Sequence, residues 1–228
     1  PRVVAILEAF DRWLNLGLPE YKKAQLAYEI EREDLNLSGG KQDQYAAIFG
    51  GFNLIEFKQD GSTIVNTLRL EKQLVNELEC SLLLYYGGRS RSSAKIINEQ
   101  IKNTQNKNKK TIEAMHRIKE SAYRMKDAVL TGSFPSFAEM LSAAWQEKKK
   151  TSSVVSNREL ERTIDYALAN GAKAVKVSGA GGGGMVMIYC EPIDRQKLID
   201  ALKQLSGTTY PVKFSKNGVE SWIVEDRA

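Results

Sequence analysis

Apolar residues recur every three or four positions over long parts of the chain, and this spacing predicts amphipathic helices. The first of these helices ends where Gly17 and Pro19 interrupt the pattern. The predicted helices cover residues 3–16, 21–33, 41–49, 74–79, 93–131 (as one helix or two), 136–147, 157–170 and 195–205. In the segment 93–131, the stripe expected to face the core consists of Ile112, Met115, Ile118, Ala122, Met125 and Val129. Asn157 is expected to cap the helix that follows it.

Shorter runs rich in β-branched and aromatic residues predict strands. The turn sequence QDGS joins the segments 52–57 and 63–70 as a β-hairpin. Further strands are predicted at 80–86, 174–178, 185–190, 211–214 and 220–224, the last two as a second hairpin. The mixture of hairpins and helices indicates an α+β fold. We expect a boundary near Leu70 that separates a domain 1–70 from a domain 71–228, and the element order of the second resembles a split β-α-β layout.

Composition limits the class of protein without identifying it. The chain has 228 residues, of which 42% are hydrophobic and 27% charged, as in an ordinary soluble protein of one large domain or two small ones. It contains no apolar run of membrane-spanning length, so no membrane association is predicted. Two cysteines, Cys80 and Cys190, are too few for a disulfide framework, and both are predicted to be buried thiols in a cytoplasmic protein. His116 is the single histidine and is expected at the surface.

The formal net charge of +5 has two readings. One is an anionic partner, either a nucleic acid or a phosphorylated small molecule, and the other is a solvated lysine-rich surface. Lysines concentrate at 102–110 and 148–150, and neither run is interleaved with the aromatic residues that a single-strand groove uses. The sequence therefore does not favour a nucleic acid as the partner.

A glycine-rich loop, KVSGAGGGGMVMIY, runs from Lys176 to Tyr189. Glycines permit a positive φ, and the exposed backbone N–H groups of such a loop can bind an anion. The loop leads into a strand and is not followed by Lys-Ser/Thr, so it fits neither a dinucleotide-binding turn nor a P-loop. The alternative is a connection that binds no ligand.

A second glycine-containing stretch, SGGKQDQYAAIFGGF, begins at Ser38. Asp43 falls in the first turn of the short helix predicted there, where the helix dipole keeps a carboxylate ionised. Such a carboxylate can accept the proton of a hydroxyl that attacks phosphorus. Lys41 could bind a substrate anion or neutralise Asp43. The alternative is that Asp43 only caps the helix.

Taken together, these stretches resemble the GHMP superfamily of small-molecule kinases, in particular the D-glycero-D-manno-heptose 7-phosphate kinases. The stretches that carry the resemblance are SGGKQDQYAAIFGGFNLIEF (38–57), LLLYYGGRSRSSAKII (82–97), AWQEKKK (144–150) and KVSGAGGGG (176–184). The resemblance covers nearly the whole chain. It implies the GHMP kinase fold, with part of an N-terminal β-α-β phosphate-binding domain and a ferredoxin-like C-terminal domain.

The resemblance also implies the chemistry and the roles of particular residues. The expected reaction is ATP- and Mg²⁺-dependent phosphorylation of a sugar phosphate, most closely the anomeric hydroxyl of a heptose 7-phosphate. Asp43 stands at the position of the general base, and Glu31, twelve residues earlier, at that of a magnesium ligand. The residues expected to bind nucleotide or substrate are Gly179, Gly181, Gly182, Gly183 and Gly184, and Gly39, Gly40, Lys41, Arg89 and Arg91.

One departure from the family pattern is large. The phosphate-gripping segment Pro-x-x-x-Gly-Leu-Gly-Ser-Ser, which in the family precedes the first helix seen here, does not occur in this sequence. A chain of only these residues is therefore expected to lack kinase turnover. Gly87-Gly88 stands where the group usually has Thr-Gly, a smaller difference. Other readings remain open: another sugar 1-kinase of the fucokinase or galactokinase type, a non-catalytic sugar- or nucleotide-binding fragment, and a basic nucleic-acid binder. The sequence does not fix the oligomeric state, and a homodimer is compatible with it.

Overall fold

The computed structural model describes residues 2–88 and 93–224, and the chain divides into two compact units. Unit 1 is formed by residues up to Arg69 together with the segment from Phe214 onward, and unit 2 by Leu70–Lys213. The sequence prediction placed the whole segment after residue 70 in the second domain, so the position of the C-terminal segment is a correction.

Nine helices and six strands make up the described part of the chain. The helices are α1 (Arg2–Leu14), α2 (Glu20–Glu29), α3 (Gln42–Phe49), α4 (Lys72–Ser81), α5 (Ser93–Gln105), α6 (Lys109–Leu130), α7 (Phe134–Lys149), α8 (Arg158–Ala169) and α9 (Arg195–Leu202). The strands are β1 (Asn53–Phe57), β2 (Thr63–Thr67), β3 (Leu82–Tyr86), β4 (Ala172–Val177), β5 (Met185–Cys190) and β6 (Thr208–Pro211). The two predicted strands around Lys216-Asn217-Gly218 are wrong, since no strand forms after β6 in the described residues.

Unit 1 packs α1, α2 and α3 around a small core and adds the predicted hairpin β1–β2. Ala24 and Ala27 on α2 are fully buried, and their small side chains allow the neighbouring helices to approach closely. The other fully buried members of this core are Val4, Tyr45 and Ile48. After Glu29 the helix widens into a π-helical segment, Ile30–Asp34, a geometry found often at functional sites. This segment carries Glu31.

The C-terminal segment joins unit 1 because it packs at the end of α3. The amide of Gly51 donates to the carbonyl of Ser215 at 3.0 Å, and the rings of Phe52 and Phe214 lie 4.6 Å apart. A Cβ on Gly218 would lie 1.7 Å from the carbonyl oxygen of Ile48, so only glycine fits there. The sequence around Lys216-Asn217-Gly218, which was predicted to be a hairpin turn, therefore packs against the end of α3 instead.

Unit 2 contains a four-stranded antiparallel sheet in the order β4-β5-β3-β6. The chain leaves β3 through four helices to β4, turns through the glycine loop into β5, and returns through α9 to β6. This order of strands and helices is the ferredoxin-like arrangement, and it confirms the predicted α+β fold. Helices α8 and α9 cover one face, where Leu160, Ile164, Leu198 and Leu202 pack on the sheet.

Two predictions about burial need correction. The buried residues of α6 are Thr111, Ala114, Ser121, Ala128 and Val129. Val129 is buried as predicted, but the rest of the core-facing stripe is rotated from the predicted one, and Met115 is exposed. Small residues occupy this face because α6 lies directly along α7. Cys190 is buried as predicted, but Cys80, near the end of α4, is exposed. His116 is exposed, as expected.

No helix in the described ranges is both long and apolar enough to cross a lipid bilayer.

Candidate functional site

Asp43 lies in the first turn of α3 and is exposed. The residue at the N-cap position is Lys41, and its side chain makes no capping hydrogen bond. Within residues 2–88 and 93–224, no donor bonds the Asp43 carboxylate either. The alternative that Asp43 only caps the helix is therefore not what the structure shows. Its carboxylate is an open acceptor beside the positive end of a helix dipole.

Lys41 does not neutralise Asp43. Its ammonium lies 4.8 Å from the centre of the Tyr28 ring and 3.5 Å from two neutral oxygens, Oε1 of Gln25 and the carbonyl of Gly61. These contacts leave it without a carboxylate partner in the described part of the chain, so its charge is available to an anion.

Glu31 is held in place from α3. Nε2 of Gln44, the residue after Asp43, donates to Oε2 of Glu31 at 2.6 Å. Nη2 of Arg32 lies 3.2 Å from the same oxygen. Gln44 is fully buried, so the contact is rigid as well as short. The residue next to Asp43 therefore contacts Glu31 directly, and sequence analysis did not single out Gln44.

The residues around Glu31 fit a magnesium ion that keeps most of its water ligands. Oε2 is occupied by Gln44 and Arg32, while Oε1 accepts no hydrogen bond from the described residues. One free carboxylate oxygen is a usual protein contribution to Mg²⁺ when phosphates and water complete the shell. Three or more acidic, histidine or cysteine side chains do not cluster in the described ranges, so the chain offers no preformed cage.

Arg32 also shapes the loop before α3. Its guanidinium donates to the carbonyls of Leu37 at 3.2 Å and Gly40 at 3.3 Å. A Cβ on Gly39 would lie 2.4 Å from the guanidinium carbon, whereas one on Gly40 would meet nothing within 4 Å. A side chain at Gly39 would displace the Arg32 guanidinium, whereas Gly40 is left open to a ligand.

The glycine loop between β4 and β5 adopts a conformation that only glycine adopts easily. Five of its residues have positive φ, between +70° and +123°: Gly179, Gly181, Gly182, Gly183 and Gly184. Gly182 donates to the carbonyl of Val155 at 2.6 Å, and a Cβ on Gly181 would lie 2.9 Å from the same oxygen. Through these contacts the loop packs against Val155, which is fully buried.

Most backbone donors of this loop have no acceptor in the part of the chain that the structure describes. Among the described residues, hydrogen bonds from the loop amides are those of Ser178 and Gly182, to Met185 and Val155. The remaining N–H groups, from Gly179 to Gly184 apart from Gly182, are therefore free to bind an anion.

Two lysines lie beside the glycine loop. The ammonium of Lys148, in the last turn of α7, donates to the carbonyl of Gly179. Burial lowers the pKa of Lys148 to about 8, and the nearby charge of Lys176 contributes. Burial also lowers the pKa of Lys176. Sequence reasoning read Lys148 as part of a solvated run, because the run gives no sign of which lysine is desolvated.

A cleft of about 750 Å³ opens on the α8 side of the same loop. Gly182–Gly184 form one wall, and Arg162, Thr163 and Tyr166 of α8 form another. Gly87 and Gly88 line it after β3. Its volume is in the range of small-molecule sites. Arg89 and Arg91, the predicted phosphate contacts that follow, lie outside the described residues.

Comparison with known families agrees with this fold and these loops. The description "GHMP kinases N terminal domain" matches residues 2–51, and "GHMP kinases C terminal" matches residues 125–206. The first range contains Glu31 and Asp43, and the second contains the glycine loop. The chain belongs to the GHMP kinase family.

Particular relatives are sugar kinases. The chain is 45% identical over 222 residues to the D-glycero-alpha-D-manno-heptose 7-phosphate kinase of Campylobacter jejuni, covering 97% of this chain and 65% of that protein. A crystal structure of a D-glycero-D-manno-heptose 1-phosphate kinase from Bacteroides thetaiotaomicron superposes with a TM-score of 0.77 at 41% identity, covering 98% of this chain and 61% of the other. The galactokinase of Pyrococcus furiosus is 25% identical over 237 residues, which are 93% of this chain and 64% of that protein. The chain thus spans a little under two thirds of the length of these relatives.

Proposed function

We propose that the protein of which this chain is part is an ATP-dependent sugar kinase that phosphorylates the anomeric hydroxyl of a heptose 7-phosphate. The observation that carries the proposal is Asp43, an exposed carboxylate at a helix start that accepts no hydrogen bond from the described residues, within a chain 45% identical to a heptose phosphate kinase. The names of the two heptose kinase relatives differ in the phosphate position, 7 or 1. We favour the 7-phosphate because a free anomeric hydroxyl is then available as the acceptor.

Asp43 acts as the general base in this proposal. It accepts the proton of the sugar hydroxyl as that oxygen attacks the γ-phosphorus of ATP, and the bond from that phosphorus to the β,γ-bridging oxygen breaks. Asp43 is exposed in the first turn of α3, so an incoming hydroxyl can reach its carboxylate. Removal of a positioned base costs about 10²–10⁴-fold in rate.

Glu31 is the proposed contact to Mg²⁺, through Oε1, because Oε2 is the oxygen that Gln44 and Arg32 contact. The ion, when bound, neutralises negative charge on the nucleotide phosphates. Gln44 and Arg32 fix the carboxylate so that only one oxygen faces outward. An oriented ligand of this kind binds a metal better than a freely rotating one.

The glycine loop and the cleft beside it are the proposed binding surfaces of unit 2. The free N–H groups of Gly179, Gly181, Gly183 and Gly184 suit phosphate oxygens, and the cleft suits a sugar or nucleotide moiety. In unit 1, Gly40 and Lys41 present an open backbone and a cation, which are proposed substrate contacts, as is Gly39 beside them. Arg89 and Arg91 remain proposals from the sequence alone. An ATP-dependent enzyme of this type belongs in the cytoplasm.

The deciding experiment uses the complete protein and a substrate panel. Purified enzyme with ATP and Mg²⁺ is assayed on D-glycero-D-manno-heptose 7-phosphate, the unphosphorylated heptose, fucose and galactose. We expect turnover with the 7-phosphate and a loss of about 10²-fold or more in kcat for Asp43→Asn. Asp34→Asn, an exposed acid in the same unit, is the matched control and should retain turnover. Normal turnover by Asp43→Asn refutes the assignment of the base, and a preference for fucose or galactose refutes the assignment of the substrate.

A further inference from the structure

Lysines 148, 149 and 150 form one run, yet the structure gives them different partners. Nζ of Lys149 lies 3.0 Å from Oε2 of Glu161, and Nζ of Lys150 lies 2.5 Å from Oε1 of Glu147. Lys148 has no carboxylate partner within the described ranges, and its ammonium donates to the carbonyl of Gly179. The last turn of a helix suits all three cations equally, so the helix dipole does not explain the difference.

Lys176 brings a second cation to the same place. Along β4, Val175 and Val177 point into the core beneath α8 and α9, so the alternation of a strand sends Lys176 to the opposite face. That face is covered by α7, as the contact between Phe137 and Tyr189 at 6.0 Å shows. Lys148 stands at the end of α7. Its ammonium reaches the carbonyl of Gly179, three residues after Lys176, so both cations lie where β4 enters the glycine loop.

Two half-buried like charges without a counter-ion are unfavourable unless an anion completes the site. No carboxylate among residues 2–88 and 93–224 forms an ion pair with either lysine. An ammonium has three donors, and Lys148 uses one on Gly179, which leaves two. The neighbouring loop adds the unbonded N–H groups of Gly179, Ala180 and Gly181. Donors and positive charge therefore converge here, and the acceptor that Lys148 uses is the single carbonyl of Gly179.

We infer that Lys148 and Lys176, together with the start of the glycine loop, bind a phosphate group of a substrate. The inference rests on the proposed function for the identity of that substrate, which is either the phosphate of the sugar or a phosphate of the nucleotide. Lys148 both contacts the anion and holds the carbonyl of Gly179. Neither lysine lines the cleft beside α8, so this is a separate contact point on the other side of the loop.

The first test measures binding without catalysis. Inorganic phosphate and pyrophosphate are titrated into the complete protein by calorimetry. We expect the affinity to fall about tenfold or more in Lys148→Met and in Lys176→Met. Lys150→Met removes a lysine of the same run that already has a carboxylate partner, and it should change the affinity by less than about twofold. Lys148→Arg keeps the charge and should retain most of the affinity.

Kinetics then separate the two sources of phosphate. A rise in KM for the sugar phosphate alone in Lys148→Met assigns the site to the substrate phosphate, and a rise in KM for ATP alone assigns it to the nucleotide. If a methionine variant does not fold, the Nζ resonance of Lys148 in the wild-type protein is followed instead, and phosphate should raise its pKa. Wild-type phosphate binding that is absent at millimolar concentration, or unchanged in both methionine variants, overturns the inference. Since this titration needs no turnover, its failure is distinct from that of the Asp43 assay.

Discussion

Nε2 of Gln44 donates to Oε2 of Glu31 at 2.6 Å, which joins the helix that carries Asp43 to the π-helical segment before it. Gln44 is completely buried, and its Oε1 has no partner among the described residues. In the described part of the chain, the hydrogen bond to Glu31 is therefore the one that the buried Gln44 amide makes. Gln44 directly follows Asp43, the proposed base. Its hydrogen bond fixes the orientation of Glu31, the proposed magnesium ligand.

The first prediction concerns Gln44→Leu. Glu31 loses the donor that orients it, so the Mg²⁺ concentration for half-maximal activity of the complete protein should rise about 10- to 100-fold. Turnover at saturating Mg²⁺ should largely recover, because Asp43 is unchanged. Gln42→Leu, on the same helix but exposed, should leave the Mg²⁺ dependence as it is. An unaltered Mg²⁺ dependence in Gln44→Leu contradicts the role given to this bond.

The second prediction concerns the docking of the C-terminal segment. Gly218→Ala places a Cβ 1.7 Å from the carbonyl oxygen of Ile48, and backbone cannot yield as a flexible side chain does. We expect a loss of about 2–4 kcal/mol in the free energy of unfolding, measured in urea. Gly40→Ala meets no atom within 4 Å and should cost about 0.5 kcal/mol or less. Equal stability of the two variants would show that the segment does not pack as described.

The third prediction concerns acid stability in unit 1. Lys23 lies 2.5 Å from Glu8 and 3.3 Å from Asp11. Burial raises the pKa of Glu8, but bonds from Lys23 and Ser221 outweigh it and lower that pKa overall. The backbone N–H of Leu18, with Lys23, lowers the pKa of Asp11. Both carboxyls therefore stabilise the fold above the ordinary values of 4.5 and 3.8, and this contribution is lost as the pH falls below them.

Urea unfolding of Lys23→Met at two pH values checks the direction of this pH dependence of stability. The variant should be less stable than wild type at pH 6, and the difference should shrink as the pH falls below the ordinary carboxyl values of 4.5 and 3.8. Lys22→Met, an exposed neighbour, should match wild type at both. A difference between Lys23→Met and wild type that stays constant with pH would mean that packing of the lysine stem, rather than its charge, stabilises α1 against α2.

The fourth prediction concerns Lys148 in the absence of phosphate. Its pKa is lowered to about 8, so the folded protein carries the charge at a cost below that pH, and the cost disappears as the pH rises from about 8 toward 10.5. Lys148→Met should therefore raise the free energy of unfolding by about 1 kcal/mol at pH 7, after the lost bond to Gly179 is counted. The gain should vanish near pH 10. A loss of stability at pH 7 would show that the bond outweighs the desolvation.

In unit 2, local sequence patterns predicted some structural features correctly and one feature incorrectly. The glycine loop, the strands on either side of it and the capping of α8 by Asn157 were predicted correctly, because turn conformation and capping depend on a few adjacent residues. Asn157 indeed accepts from the amides of Glu159 and Leu160, each at 3.1 Å. The buried face of α6 was predicted incorrectly because its neighbour α7, rather than the hydrophobicity of α6 alone, decides which side is covered.

The sequence by itself determined the α+β order, the position of Asp43 at a helix start and the glycine loop, since each depends on short-range periodicity or backbone freedom. The tertiary structure alone decided that Phe214 and the residues after it join unit 1, and that Gln44 holds Glu31. It also decided that Lys150 has a carboxylate partner while Lys148 has none in the described part of the chain. These outcomes depend on contacts between residues far apart in the chain, as between Lys148 and Gly179. Burial and charge pairing are properties of such contacts, so no local pattern records them.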